Sequence, residues 1–195
     1  MSEQKQHVSF YRKVALRKKL MPRNSGGVAY VPFIGDGDIA TELYSNHKIY
    51  GADLDPMRVK AASARLKDAT IKIYDCDQWP FGALDEVFSL ADFDAYAYPY
   101  DSFKAWWDNA KRADTLTCFF TDGMRLPIHY NRPFRAPWDG IIKDLTRNEY
   151  RKLYNLYFKL FILPWFIEYI KPYKIKKKSL YLRGSMCYWG AVISK

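Results

Sequence analysis

The sequence predicts an α/β fold in which a mostly parallel sheet of seven strands is flanked by helices. Three observations predict it: five β-rich runs alternate with stretches of helical character, a pair of glycines follows the first run, and two strand-like runs surround a Gly-Ser turn at the end. Strands that alternate with helices of about ten residues are typical of βαβ units and parallel sheets. The last two runs predict an antiparallel hairpin.

The composition is that of a folded globular chain. Of the 195 residues, 49% are hydrophobic and 17% are aromatic, which argues against intrinsic disorder. We expect a single domain over residues 1–195, with 1–27 as a basic N-terminal helical extension. Within that extension, residues 8–20 carry apolar side chains at helical spacing among several lysines and arginines.

The elements that follow the extension are predicted in the order of a βαβ fold. The predicted strands are 28–34, 48–54 and 70–74, and the predicted helices are 39–44 and 57–66. Pro56 stands at a position where a first-turn proline begins a helix.

The second half of the chain continues the alternation and then departs from it. We predict a helix over 84–90, a strand over 93–98, a helix over 102–111 and a strand over 115–121. Asp101 or Ser102 is the expected N-cap of the helix over 102–111. A long helix over 146–170 then precedes the hairpin strands 174–183 and 186–193.

Residues suited to bind a cofactor follow three successive predicted strands. Gly35 and Gly37 surround Asp36 after the first strand, where absent side chains let the backbone approach a ligand. Asp53 ends the second strand and can accept both hydroxyls of a ribose. Asp75 ends the third strand and can accept from an adenine amino group. Because ligands of open α/β sheets bind beyond the carboxyl ends of the strands, these residues predict a nucleotide-like cofactor.

Three segments around these residues resemble motifs of the class I S-adenosylmethionine-dependent methyltransferases. The segments are Val-Pro-Phe-Ile-Gly-Asp-Gly at 31–37, Gly-Ala-Asp-Leu-Asp-Pro at 51–56 and Asp-Cys-Asp-Gln-Trp-Pro-Phe at 75–81. The resemblance covers residues 28–195 and implies a Rossmann-like fold with S-adenosylmethionine as cofactor. The cofactor-binding residues that it implies are Gly35, Asp36, Gly37, Asp53, Leu54, Asp75, Cys76 (through its backbone N–H) and Asp94. NAD is the weaker alternative, since the loop after the third strand favours S-adenosylmethionine.

Two positions depart from the family pattern. Phe33 stands where an acidic residue is usual, and Ile39 stands where a third glycine is usual. We therefore expect the methionine end of the cofactor to be held differently, with Asp36 and Asp38 as candidates. The missing acid also keeps open a non-catalytic binding or scaffold protein with the methyltransferase fold.

The residues after the predicted fourth strand are candidates for the chemistry. Methylation of an exocyclic amino group needs a polar acceptor for the NH₂ group and a planar surface against which the base stacks. We predict that Asp94 supplies the acceptor and that Tyr96 and Tyr100 shape the pocket. The stretch 92–103 and the pair Thr121-Asp122 are partially similar to tRNA guanine N2-methyltransferases.

The charge of the chain predicts an anionic partner. The formal net charge is +10, and lysines and arginines cluster in segments 11–23 and 171–178, as phosphate contacts require. Side chains in the loop after the fifth strand are expected to border the cleft: Arg125, Arg132, Arg135 and Trp138. We therefore predict an enzyme that methylates an exocyclic amino group of a base in RNA or DNA; a small-molecule or protein methyltransferase is the alternative.

Metal, disulfide and membrane chemistry are not predicted. The three cysteines form no CxxC pair and the three histidines lie in unrelated settings, which argues against a zinc site and fits a reducing compartment. The most apolar run is too short to span a bilayer. We expect a cytoplasmic protein without a metal site or a membrane partner.

Overall fold

The computed structural model describes residues 8–21, 26–96, 98–123, 149, 156–183 and 186–195. Within these ranges the strands are β1 (Gly27–Pro32), β2 (His47–Asp53), β3 (Thr70–Ile73), β4 (Val87–Phe93), β5 (Lys111–Asp122), β6 (Lys174–Arg183) and β7 (Met186–Ser194). The helices are α1 (Val8–Leu20), α2 (Asp38–Leu43), α3 (Pro56–Arg65), α4 (Tyr100–Asn109) and α5 (Leu163–Tyr169), the last preceded by a π-helical turn (Phe158–Ile162).

The seven strands form one mixed sheet in the order β3-β2-β1-β4-β5-β7-β6. The first five strands are parallel to one another, and β7 is antiparallel to both β5 and β6. The chain runs outward from β1 to β3 and returns to the other side of β1 at β4, so the order of the strands reverses between β1 and β4. Ligand clefts form at such a reversal. The predicted sheet and its terminal hairpin are confirmed.

The predicted fourth strand was misplaced. The helix predicted over 84–90 does not form, and β4 (Val87–Phe93) begins in that segment, ahead of the strand predicted over 93–98. Phe88, Leu90, Ala91 and Phe93 are all buried, because β4 lies between β1 and β5 and is covered on both faces. Such a strand shows no alternation of apolar and polar residues, and its apolar spacing resembles that of a helix.

The start of α4 also differs from the prediction. The helix begins at Tyr100 after Pro99, and no side chain caps it. Asp101 lies in the first helical turn, where its carboxylate pairs with Lys104 at 2.7 Å. An acidic residue in the first turn is favourable there because it faces the positive end of the helix dipole. The part of the long helix predicted over 146–155 lies outside the described residues except for position 149.

Helices cover the sheet on both faces. One face packs α4, the π-helical turn and α5 into an aromatic core; there the rings of Phe120 and Trp189 stack with centroids 4.3 Å apart. The other face packs α1, α2 and α3 through smaller side chains, among them Leu16, Ala40 and Ala62. No helix in the described part of the chain is long and apolar enough to cross a membrane.

Helix α1 confirms the prediction of a helix over 8–20 but is not a detached extension. Leu16 and Leu20 are buried, and α1 packs on α2, β6 and β7. A helix held by buried leucines becomes part of the core. Consequently α1 is in a position to form part of any site at the neighbouring strand ends.

Candidate functional site

A cleft of about 860 Å³ opens at the carboxyl ends of β1, β2, β4 and β5. Gly35 and Asp36 line it after β1, and Asp53 lines it at the end of β2. Its remaining walls come from α1, from the start of α2, from Arg58 of α3, from residues 92–96, from the end of β5 and from the start of β7. The cleft has the volume of a small-molecule or cofactor site and lies where the strand order reverses.

The loop after β1 has an unusual backbone. Phe33, Gly35 and Gly37 have φ angles of 57°, 55° and 82°, in the left-handed region that glycine adopts readily and phenylalanine does not. A Cβ atom at Gly37 would lie 3.3 Å from Ala62, whereas one at Gly35 would meet nothing within 4 Å. Gly37 is therefore needed for packing against α3, and Gly35 leaves the backbone open beside the cleft.

Asp53 is tied to this loop. The backbone N–H of Gly35 donates to Asp53 Oδ2 at 3.0 Å, and the N–H of Asp55 donates to Oδ1 at 3.0 Å. The carboxylate is half-buried and lines the cleft. Each of its oxygens has room for a further donor, so the geometry is compatible with a ligand that presents two hydroxyl groups.

The side chain of Cys76 contacts the same loop through hydrogen bonds. Its buried thiol accepts from the N–H of Phe33 at 3.2 Å and donates to the carbonyl of Ala52 at 3.5 Å. Burial raises the pKa of this thiol to about 12, although the Phe33 N–H opposes the shift. Cys76 is therefore a neutral contact between strand ends rather than a nucleophile. The sequence predicted a role only for its backbone N–H.

The predicted adenine end lies beside the cleft rather than within its lining. Leu54, Asp75 and Cys76 are absent from the residues that line the cleft. Leu54 is 65% exposed, and Asp75 Oδ1 accepts from the N–H of Asp77 at 3.0 Å. These residues follow β2 and β3, so they extend the line of strand ends outward from Asp53.

Asp94 lines the cleft just after β4 and is not free. Its Oδ1 atom lies 2.6 Å from Lys13 Nζ and 3.8 Å from the guanidinium of Arg17. Burial favours the protonated acid, but the charges of Lys13 and Arg17 outweigh it and lower the pKa of Asp94. Asp94 is therefore a carboxylate whose charge is already compensated from α1.

The two tyrosines predicted at the acceptor side differ in position. Tyr96 lines the cleft and is 95% exposed, so its ring is available to a ligand. Tyr100 is fully buried, does not line the cleft, and donates its hydroxyl to Asp122 at 2.6 Å. The prediction that Tyr100 shapes the pocket is corrected: α4 begins at this residue and turns the side chain into the aromatic core.

A buried ion pair that the sequence did not reveal anchors α1 beside the cleft. Arg17 donates from Nε and Nη2 to the two oxygens of Asp92 at 2.7 and 2.6 Å, and Tyr44 donates to Asp92 at 2.6 Å. Burial disfavours the guanidinium charge, yet the carboxylates of Asp92 and Asp94 raise the pKa of Arg17 overall. The available signal was an arginine beside Leu16 on the apolar side of α1.

Much of the basic N-terminal segment is engaged within the fold. Besides Lys13 and Arg17, Lys18 pairs with Glu42 at 2.7 Å, and Arg12 lies over the ring of Tyr181 at 4.8 Å. The lysines of β6 remain exposed; they are Lys174, Lys176, Lys177 and Lys178. The predicted cleft-bordering residues Arg125, Arg132, Arg135 and Trp138 lie outside the described residues. Among the residues that are described, no cluster of side chains is arranged to hold a metal ion.

The chain is similar in fold to solved structures of methyltransferases, although no family model and no curated protein sequence matches it. N-methyltransferase NodS from Bradyrhizobium japonicum WM9, in complex with S-adenosyl-L-homocysteine, is similar with a TM-score of 0.60 and 12% identity over 98% of this chain and 89% of that one. Magnesium protoporphyrin IX methyltransferase from Synechocystis PCC 6803, with the same compound bound, is similar with a TM-score of 0.55 and 13% identity. The similarity covers 96% of this chain and 82% of that one.

A third similar structure is TrmK from M. capricolum in complex with the cofactor product S-adenosyl-homocysteine. Its TM-score is 0.53, with 9% identity over 97% of this chain and 69% of that one. At such low identity the similarity concerns the arrangement of strands and helices. The chain has the fold of the class I S-adenosylmethionine-dependent methyltransferases.

Proposed function

We propose that the chain binds S-adenosylmethionine and transfers its methyl group to an amino nitrogen. The observation that carries the proposal is the contact between Gly35 N–H and Asp53, which joins an open glycine loop at the reversal of strand order to a carboxylate at the end of β2. A loop of this kind brings backbone donors close to a ligand, and the carboxylate accepts ribose hydroxyls. The cleft above them is large enough for the cofactor.

We assign a part of the cofactor to each strand end on the basis of the strand order. Asp53 after β2 holds the ribose, and Gly35, Asp36 and Gly37 after β1 approach the centre of the molecule. Leu54, Asp75 and the backbone of Cys76 lie toward β3 and hold the adenine. Residues after β4 then face the methyl-transfer end. This assignment makes Asp94, which lines the cleft directly after β4, a cofactor-binding residue rather than the acceptor for the target amine.

The chain's residues supply positioning rather than a strong base. When bound, the cofactor supplies a methyl group on a sulfonium; the acceptor nitrogen forms the new N–C bond, the C–S bond breaks, and the nitrogen then loses a proton to solvent. Tyr96 offers an exposed ring beside this end of the cleft. Carboxylates of the cleft, Asp36 and Asp53 among them, favour a cationic cofactor over its neutral product.

The acceptor that the charge supports best is a base of a nucleic acid. The net charge is +10, and the exposed lysines of β6 present a cationic edge to phosphates. Tyr96 can stack on a base. Against this, Lys13, Arg17 and Lys18 are paired within the fold. A small amine is therefore the second candidate, because the pairing of these cations leaves fewer of them to bind phosphates.

Transfer of labelled methyl groups tests the proposal. The chain is incubated with labelled S-adenosylmethionine and, separately, with RNA, DNA, peptides and a pool of small amines. Label in RNA or DNA supports the nucleic-acid acceptor, and label in small amines alone replaces it with the second candidate. Binding of cofactor without transfer to any pool would point to the scaffold alternative.

Asp53→Ala tests the ribose assignment directly. We expect the affinity for S-adenosylhomocysteine to fall about tenfold or more, because two hydroxyls lose a charged acceptor. Asp114→Ala is the matched control: Asp114 lies on β5 outside the cleft and pairs with Lys195 at the surface. Equal affinity of both variants would contradict the role of Asp53.

A further inference from the structure

We propose that the ion pair between Lys13 and Asp94 is the receptor for the amino-acid end of S-adenosylmethionine. The ammonium group of the ligand takes the place of Lys13 on Asp94, and the released Lys13 ammonium binds the ligand's carboxylate. This inference rests on the proposed function and adds α1 to the cofactor site. It answers which groups replace the acid that is absent at position 33.

The order of the strands places the pair at the correct end of the cleft. Asp53 at the end of β2 marks the ribose, and Asp94 follows β4, two strands away across β1. Neighbouring strands are roughly 4.8 Å apart, so these strand ends are roughly 10 Å apart. That separation suits an extended amino-acid chain that leaves the ribose. The adenine points the other way, toward β3.

The other carboxylates of the cleft are less suited to this role. Asp38 is paired with Arg65 at the surface, and Asp92 is held by both nitrogens of Arg17. Asp36 is exposed, where water screens an ion pair. Asp94 combines partial burial with a partner that itself lines the cleft, since its side chain is 17% exposed and that of Lys13 is 19% exposed. The expectation that Asp36 or Asp38 holds the methionine end is thereby replaced.

Lys13 is also the cation best placed to bind the ligand's carboxylate. Among the described residues that line the cleft, Arg58 is the other positively charged side chain, but it belongs to α3 and lies 3.6 Å from Asp55, toward the ribose end. Lys13 reaches the cleft from α1, whose position is fixed one turn later by the buried contact of Arg17 with Asp92. The lysine is therefore held beside Asp94 by the fold and not only by their mutual attraction.

The exchange keeps every charge compensated. Before binding, one contact joins Lys13 to Asp94. Afterwards, the ligand's ammonium contacts Asp94 and its carboxylate contacts Lys13, so one charged contact is replaced by two and no charge is left unpaired. In a partly buried site an uncompensated charge would be costly. A ligand that lacks either group gains only part of this compensation.

Calorimetric titration with three adenosine ligands tests the receptor. S-adenosylhomocysteine carries both groups, its decarboxylated form carries only the ammonium, and 5′-methylthioadenosine carries neither. On the unmodified chain we expect affinity to fall by about tenfold with the loss of each group, the factor expected for one charged hydrogen bond. Equal affinity for all three ligands would overturn the inference while leaving the proposed cofactor in place. Binding of none would overturn the proposed function itself.

Two variants assign the groups. Lys13→Met should weaken S-adenosylhomocysteine about tenfold and leave methylthioadenosine unchanged, whereas Asp94→Asn should weaken both ligands that carry the ammonium. Lys18→Met is the matched control on α1, because Lys18 pairs with Glu42 outside the cleft. Lys13→Arg keeps the charge and should retain most of the affinity. If the Lys13→Met chain has the same unfolding free energy as the unmodified chain and also the same affinity for S-adenosylhomocysteine, the role of Lys13 is refuted.

Discussion

Asp92 and Asp122 are buried at the ends of neighbouring strands, but their side chains enter opposite faces of the sheet and meet different partners. Asp92 on β4 is bound by the guanidinium of Arg17 and by the hydroxyl of Tyr44. Asp122 on β5 accepts from the hydroxyls of Tyr100 and Tyr157 at 2.6 and 3.0 Å. Both carboxylates are inaccessible to solvent.

The difference separates the part of the fold that builds the cleft from the part that only supports the core. Asp92 lines the cleft and joins it to a helix 75 residues earlier in the chain, so its partners fix the wall that carries Lys13. Asp122 lies in the aromatic core, where Trp189 Nε1 also donates to the hydroxyl of Tyr100 at 3.2 Å. We expect substitutions of the partners of Asp92 to affect both stability and ligand binding, and substitutions of the tyrosines that bind Asp122 to affect stability alone.

Arg17→Met should have the largest effect. Removing the guanidinium leaves Asp92 buried without its cation, which typically costs about 3–5 kcal/mol of unfolding free energy. Urea unfolding followed by fluorescence measures the loss, and the affinity for S-adenosylhomocysteine should fall with it because α1 is released. Arg17→Lys keeps the charge but not the two parallel hydrogen bonds, so its loss should be smaller. Unfolding of Arg17→Met at the same urea concentration as the unmodified chain would contradict the anchoring role.

Tyr44→Phe and Tyr100→Phe sharpen the comparison, because each removes one hydroxyl from one of the two carboxylates. Burial and the neighbouring carboxylate raise the pKa of each tyrosine, so both hydroxyls are protonated donors at neutral pH. Each substitution should cost about 1.5–3 kcal/mol, the value for a hydrogen bond to a charged group. Titration with S-adenosylhomocysteine should then distinguish them: Tyr44→Phe should weaken binding and Tyr100→Phe should not. If Tyr100→Phe weakened binding and Tyr44→Phe did not, the ligand site would lie on the face of the sheet that carries Asp122, which would contradict this account.

Acid unfolding should show the smallest effect. The pKa of Asp94 is lowered in the folded chain because the charges of Lys13 and Arg17 outweigh the cost of burial. Its contribution to stability is therefore fully present above the ordinary aspartate pKa near 4 and is lost as the pH falls through the lowered folded value. Lys13→Met should make the decline of unfolding free energy below about pH 4 shallower, by no more than about 1 kcal/mol. Urea midpoints between about pH 2 and pH 5 give the slopes, and identical slopes would argue against the pairing.

The first half of the sheet was predictable because its signals are local. Glycine and aspartate stand directly after β1 and β2, and Pro56 begins α3 at its first position. β4 was misplaced because a strand covered on both faces loses the period of two on which the prediction depends. Local signals therefore predicted the loop after β1 better than the centre of the sheet.

The candidate site could be predicted only where it depends on neighbours in sequence. Gly35 and Asp53 follow from the strand ends, whereas the contacts of Lys13 with Asp94 and of Arg17 with Asp92 join α1 to β4, two elements that are far apart in the sequence. No local pattern specifies such pairs, so the sequence placed these cations on an exposed basic surface. Tyr100 was assigned to the cleft because it is close to Asp94 in the sequence. However, α4 begins at Tyr100, and the side chain of Tyr100 lies in the aromatic core.

Calorimetric titration of the unmodified chain with S-adenosylmethionine and S-adenosylhomocysteine tests the central claim most directly. We predict saturable binding of one molecule of either compound with a dissociation constant on the order of micromolar or tighter, together with a rise in the midpoint of thermal unfolding. Absence of heat and of any thermal shift with both compounds would contradict the claim that the cleft at Gly35 and Asp53 is a cofactor site.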